Sequence, residues 1–467
     1  MKKDWLKSFL FASSLILILA FWFKSSFFTY FSQDDFFRFK MSQANTFSQV
    51  ARFFSFKNSH LYGFYRPISI NLYSFLGLKI FGLNPFYYHT FNFAVFGATV
   101  YLVYLIALNF FGDKKKAFYT LIFYGFSACH LTALSYLPNV EEVIVSFFYF
   151  LTVYLYLKKN RFALFSFVLA LLSRETAITL PFVLVGIEFF RQRKWVRVLP
   201  YFLLLFTYGF LRYFFHLFPD RSVYQVTLAL NKIVNNGIWF FAWALGFPES
   251  LVDFVGPGIK LNPSFFKVSP PLPHLILGSG LIFSLWFGLQ TATSFLKEKQ
   301  KSKIIAFFLW FGVTLLPFLP LISHKFAYYL EIPFFGIACL MSLVLTSNKV
   351  KAFVSVGFYI FLSFLTIRYY ELTYWGINRP KLTQAILAEL KVKYPKLPKG
   401  ATLYFRNDPG YQFVSKDWGG TSTQAKHALS ECNGPQFLYN DFSLKCLFED
   451  DNQLENLTNI YELVVKN

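Results

Sequence analysis

Apolar runs long enough to cross a membrane recur through most of this chain, and short clusters of cations separate them. About 30 Å of hydrocarbon takes roughly 20 helical residues to cross, and the backbone must be satisfied within each run because lipid offers it no partners. A chain built this way folds as a bundle of membrane helices. Composition agrees: 55% of the 467 residues are hydrophobic and only 15% are charged, with a mean hydropathy of +0.43. An ordinary soluble domain is excluded. The first run, LKSFLFASSLILILAFWF from Leu6, starts like a signal peptide, but it has no A-x-A-like cleavage site and further runs follow, so it is expected to stay as an anchor.

The formal net charge is +21, yet the cations form no single basic face, so nucleic acid is not the expected partner. They fall instead in the gaps: DKKK at 113–116, KKNR at 158–161, RQRK at 191–194, KEKQKSK at 297–303 and NKVK at 348–351. Short basic gaps face the cytoplasm. Placing these and the N-terminal MKK inside gives eleven crossings, at 7–24, 86–111, 117–137, 141–157, 162–173, 176–190, 197–216, 274–296, 304–322, 326–346 and 352–370. The N-terminus is then cytoplasmic and the C-terminus extracytoplasmic. The fifth and sixth runs are too short for a full crossing and form a shallow hairpin, whose tip holds Arg174 and Glu175.

The transmembrane domain therefore covers 1–370. Its long external segments are 25–85, with an amphipathic helix at 67–83, and 217–273, where NNGIWFFAWALGF reads as interfacial or re-entrant. Residues 371–467 are the most polar part, and period-two runs such as ATLYFRN and YELVVKN predict a small extracytoplasmic α/β domain. Cys129 and Cys339 lie in apolar runs, whereas Cys432 and Cys446 both fall in this exported tail and are candidates for a disulfide.

With this topology charged groups from distant segments meet at one leaflet: Asp34, Asp35, Arg66, His89, Glu141, Glu142, Arg174, Glu175, His324 and Lys325. Taken singly, an acidic pair in a loop is most simply a solvated turn, and a lone histidine a structural group. Taken together they suit a reaction on a lipid phosphate. A carboxylate can take a proton from an attacking hydroxyl, while Arg or Lys stabilises phosphate charge on a leaving group whose tail stays in the bilayer.

From Tyr65, YRPISINLYSFLGLKIFGLNPFYYHTFNFAVFG, and from Leu171, LLSRETAITLPFVLV, together with the acidic pair in the first external loop and HKFAYYLEIP near 330, resemble GT-C type membrane glycosyltransferases, particularly the protein O-mannosyltransferase-like branch. The resemblance spans about residues 30–335. It implies transfer of a monosaccharide from a polyprenyl-phosphate donor to an extracytoplasmic protein, lipid or glycan acceptor, generally with inversion. It places the catalytic base at Asp34, with Asp35 beside it, and a phosphate contact at Lys325; His324, Arg66 and Arg174 join that phosphate set, with Glu175, His89, Glu141 and Glu142 in support. The chain departs from the pattern at Cys129 and Ala133, where relatives carry Pro and Glu, and at Phe96, where they carry His. Polyprenyl-monophosphate chemistry requires no cofactor, although two Asp and a Glu could hold a divalent cation. Two alternatives stay open at this stage: a flippase for a lipid-linked glycan, and an inactive assembly protein on the same fold.

Overall fold

The computed structural model describes residues 13–57, 64–191, 195–217, 224–256, 258, 260–411, 419–451 and 460–466. The N-terminal MKK, the start of the first expected crossing and Gln192–Lys194 lie outside them. The described fold is mostly helical. Four helical stretches are long and apolar enough to cross a membrane: α5 (Pro85–Phe111), the stretch Leu137–Leu157 that contains α8 (Val140–Leu157), α14 (Leu272–Phe295), and Lys349–Lys393, which joins α17 (Lys349–Thr373) to α18 (Trp375–Lys393). A fifth is a broken pair, α6 (Lys114–Gly125) and α7 (Cys129–Ser135), bent by 55°.

The sequence pattern expects one straight crossing at 117–137, and the break is the main departure from it. Its cause lies in the groups that insert there. Tyr359 donates to the Ser127 hydroxyl at 2.9 Å, and fully buried His130 sets one ring nitrogen 2.7 Å from Glu331 and the other 2.7 Å from the Tyr124 carbonyl. The Tyr124 carbonyl at the bend is thus met by a side chain, as burial in an apolar bundle demands.

Other helices lie at or near the remaining expected crossings, none of them long and apolar enough over its described residues to cross by that test, so the eleven crossings are not shown: α1 (described from Ser13 to Trp22), α9 (Phe162–Ser173), α10 (Leu180–Phe190), α11 (Leu199–Phe214), α15 (Glu298–Leu315) and α16 (Phe334–Leu345). At about 1.5 Å per residue, the twelve residues of α9 or of α16 cannot reach across alone. Packing is close where small residues allow it. A Cβ on Gly336 of α16 would come within 2.5 Å of the Phe307 carbonyl, so α15 and α16 meet backbone to backbone there.

The segment 25–85 carries α2 (Asp34–Met41) and α3 (Phe47–Arg52). The expected amphipathic helix is present as one π-helical turn, Pro67–Leu72, followed by α4 (Tyr73–Phe81). In the segment 217–273, α12 (Leu230–Ala244) is held at its middle by Asn236, which donates to the carbonyls of Leu319 and Leu321 at 2.9 and 2.8 Å. Its far end reaches into the bundle, where the Gly246 carbonyl accepts from Thr366 of α17 at 2.6 Å. Beyond it come a two-residue ribbon, β1 (Val255–Gly256) with β2 (Lys260–Leu261), and α13 (Ser264–Lys267).

The tail is a three-stranded parallel sheet in the order β4 (Lys445–Phe448), β3 (Thr402–Asn407), β5 (Ile460–Val465), backed by α19 (Thr421–Ala428) and α20 (Asn433–Tyr439). Both period-two runs are strands of it. Cys432 and Cys446 form a disulfide, with Cα atoms 5.2 Å apart. This unit is docked on α2: Gln33 N–H donates to the Ala428 carbonyl at 2.9 Å, Lys40 donates to Asn433 at 2.9 Å, and the Phe39 and Phe437 rings meet edge to face at 5.9 Å.

Candidate functional site

Adjacent residues at the start of a helix diverge by about 100°. Asp34 and Asp35 therefore part company. Asp34 lines a cavity of about 480 Å³ formed where α2, α3 and the π turn face the top of α8. Asp35 turns the other way, buried among Phe39, Tyr73 and Tyr88, and accepts from the Ser32 N–H at 2.9 Å. Burial pushes its carboxyl up to about 8, against which the Ser32 bond and Arg38 pull only partly. Burial thus favours its protonated form, and Asp35 lies away from the cavity that Asp34 lines, so the structure does not bring the two carboxylates to one site.

Beneath the cavity lies a charge network centred on Glu141, whose carboxylate is 1% exposed. It receives Arg38 and Arg66 in short charge-assisted bonds and Arg174 at 2.9 Å. Arg174 also meets Glu142 at 3.2 Å, and its guanidinium stands 5.4 Å from the Tyr329 ring. Glu175 is held by Arg66 at 2.8 Å and by Arg212 at 2.7 Å. Arg174 and Glu175 are thus not each other's partners at the hairpin tip. Each reaches outward and ties that tip to α8, the segment 25–85 or α11. The short α9 is what makes this possible, because it ends at the depth where α8 begins.

Three guanidiniums, of Arg38, Arg52 and Arg66, line the cavity against two carboxylates, Asp34 and Glu141. The balance favours an anion. Arg38 and Arg66 are committed to Glu141, whereas Arg52 is exposed at the end of α3 and makes no ion pair among the described residues. Phe37, Phe53, Phe64 and Tyr224 add ring faces to the same wall.

The other expected residues fall at three distances from this centre. His324 is near: its ring lies 4.4 Å from that of Tyr224. Burial, with Arg174 and Arg66 close by, pushes its imidazole down to about 4, so it is neutral and cannot serve as a phosphate cation. Lys325 is half-buried on the other side of the segment, lies outside the cavity wall, and is drawn down by burial with Asp253 as its counter-charge. His89 is apart altogether, set between the carbonyls of Leu134 at 3.0 Å and Thr29 at 2.9 Å, where it joins helix ends and touches no ligand space.

The sequence pattern missed Arg38, Arg52, Arg212 and Tyr224. Arg38 had a local signal, since it lies four residues after Asp34 on one helical face. It also missed Glu249, which accepts from the Ala327 N–H at 2.6 Å and is pushed up to about 7 by burial. Among the described residues no group of three or more His, Cys, Asp or Glu is arranged to hold a metal ion. No protein-family model matches the chain, and no curated protein is significantly similar to it.

Proposed function

We propose that this protein is a membrane glycosyltransferase of GT-C type, moving a monosaccharide from a polyprenyl-phosphate donor to an extracytoplasmic acceptor. The observation that carries the reading is a single cavity in which one carboxylate outside the ion-pair network, Asp34, faces an excess of guanidinium groups. Asp34 takes the proton of the acceptor hydroxyl as its oxygen attacks the anomeric carbon. The bond from that carbon to the phosphate oxygen breaks, and polyprenyl phosphate leaves with the electron pair. Arg52 is the cation with charge to spare for that phosphate, and Arg66 and Arg38 set the field around it. Nothing in this step calls for a metal.

The proposal includes the eleven-crossing topology in a cell membrane, with a cytoplasmic N-terminus and an extracytoplasmic tail. Support comes from the basic gaps between helices and from the cavity and the tail domain lying together on α2. Only one side can then hold the lipid phosphate, the acceptor and the disulfide-bearing tail.

The test is transfer of labelled sugar from a polyprenyl-phosphate hexose or pentose by the purified full chain in the presence of membrane and secreted-fraction acceptors. Asp34→Asn should lower the rate by about 10²- to 10⁴-fold, while Asp35→Asn at pH 7 should leave most of it. Near-native transfer by the Asp34 variant would reject the assignment of the base. Tight, saturable donor binding without transfer to any acceptor would favour a flippase.

A further inference from the structure

A second cavity lies away from the charge network. It is a groove of about 770 Å³ between the second half of α14 and the first half of α15, roofed by Phe241 and Leu245 from the inner end of α12. Phe241 and Leu245 are the residues that the end of α12 brings to the groove's wall. The walls are apolar, with Phe308 and Ile304 opposite Gly288 and Ala292. A Cβ on Gly288 would meet nothing within 4 Å, so this glycine opens space rather than bringing helices together.

The mouth of the groove is charged. Leu296 and Ile304 line it and flank the stretch 297–303, which carries Lys297, Lys299, Lys301 and Lys303 against one acid, Glu298. Lys301 Nζ stands 5.5 Å from the centre of the Phe295 ring, itself part of the wall, which brings a cation to the rim. One turn inward the Thr291 hydroxyl, also on the wall, has no hydrogen-bond partner among the described residues. A deep apolar slot with a donor near its mouth and a basic rim has the complement of an acylated glycerol ester carrying a negative headgroup.

We propose that this groove binds one anionic phospholipid from the leaflet that the start of α15 faces. One acyl chain occupies the slot under α12, the ester carbonyl accepts from Thr291, and the phosphate headgroup rests between Lys297 and Lys301. The site is separate from the Asp34 cavity and does not depend on the reaction proposed for it.

The experiment is native mass spectrometry of the full chain in detergent with added phosphatidylglycerol or phosphatidylcholine, backed by melting curves in each lipid. The wild type should retain one phosphatidylglycerol and melt higher with it. Gly288→Phe, which fills the slot, should cut that retention at least tenfold, and Ala292→Leu serves the same end if the first variant fails to fold. Gly209→Phe on α11, also in open space, should retain the lipid as the wild type does. Changing Lys297 and Lys301 to Gln should abolish the preference for phosphatidylglycerol, by about fivefold for each lysine in contact. Equal retention of the two lipids by the wild type, retention unchanged by filling the slot, or a dimer through this face in place of bound lipid would each overturn the proposal.

Discussion

Replacing Glu141 by Gln keeps the shape of the side chain and removes the charge on which Arg38, Arg66 and Arg174 converge. The carboxylate is 1% exposed and the three guanidiniums are between 8% and 15% exposed, so water can replace little of what is lost. Breaking a buried pair by removing one partner typically costs about 3–5 kcal/mol. Summing three charge-assisted bonds at about 1.5–3 kcal/mol each would give more, but such bonds share one acceptor and do not add. Arg66 keeps Glu175 and Arg174 keeps Glu142, which holds the loss to the lower sum. An apparent melting temperature lowered by several degrees is expected in detergent, at one fixed scan rate. The double variant with Arg38→Met should recover part of it, because one of the uncompensated cations is then gone. A Glu141→Gln protein melting within a degree of wild type would refute the view that Glu141 is the hub. So would a double variant that is as unstable as the two single losses added.

Asp35 carries a pH prediction. Its folded value of about 8 lies above the ordinary carboxylate value of about 4, so its contribution is full below pH 4 and is lost as pH rises through 8. Asp35→Asn should flatten the fall in melting temperature between pH 5 and 8, and parallel profiles for the two proteins would count against it. Arg52→Gln should weaken donor binding with little effect on stability, read as a raised KM at unchanged melting temperature. Gly336→Ala should destabilise by about 1–3 kcal/mol, because α15 and α16 must separate to admit the methyl group; a neutral result would mean that the helices are not in contact there. Serine at both Cys432 and Cys446 opens a loop of 14 residues and should cost about 3 kcal/mol in the tail, measured by protease sensitivity of the tail with and without reductant.

The residues that fix helix length were readable in one dimension. Runs bounded by Lys and Arg gave α9 at 162–173 and placed α5 and α8 to within a residue, because hydrocarbon thickness and the cost of buried charge act on consecutive residues. Asp34, Arg66, Glu141, Arg174 and Glu175 were legible as a group for the same reason, whereas Arg38, Arg52 and Arg212 were not. Their pairing was not. Arg38 and Glu141 are 103 residues apart, and Arg66 and Glu175 are 109 apart, so which cation meets which carboxylate depends on how α8, α9 and the π turn are stacked. The break at 126–128 was hidden as well. It contains no proline, and what sustains it is Tyr359, 232 residues from Ser127.

These long-range pairings also explain why Asp34 remains available for chemistry beside so many cations. A carboxylate that accepted an arginine would be a structural anchor, and its basicity would be spent on that bond. Here the anchoring is done by Glu141, Glu142 and Glu175 from the helical bundle, while Asp35 is sealed in the hydrophobic packing of the segment 25–85. Asp34 is left at the cavity wall on a helix clamped from behind by the tail through Gln33, Lys40 and Phe39. Fixing the helix without engaging the carboxylate is what a general base requires, since its position must be held while its lone pair stays free. On the proposed assignment of Asp34 as the base, the tail domain has a part in the site although it contributes no residue to the cavity wall. Lys40→Ala combined with Phe39→Ala should loosen α2 and lower transfer through kcat more than through KM. The same loss should leave the Glu141 network and its contribution to the melting temperature in place. If instead the two changes melted the whole bundle, the clamp would belong to the fold and not to the base.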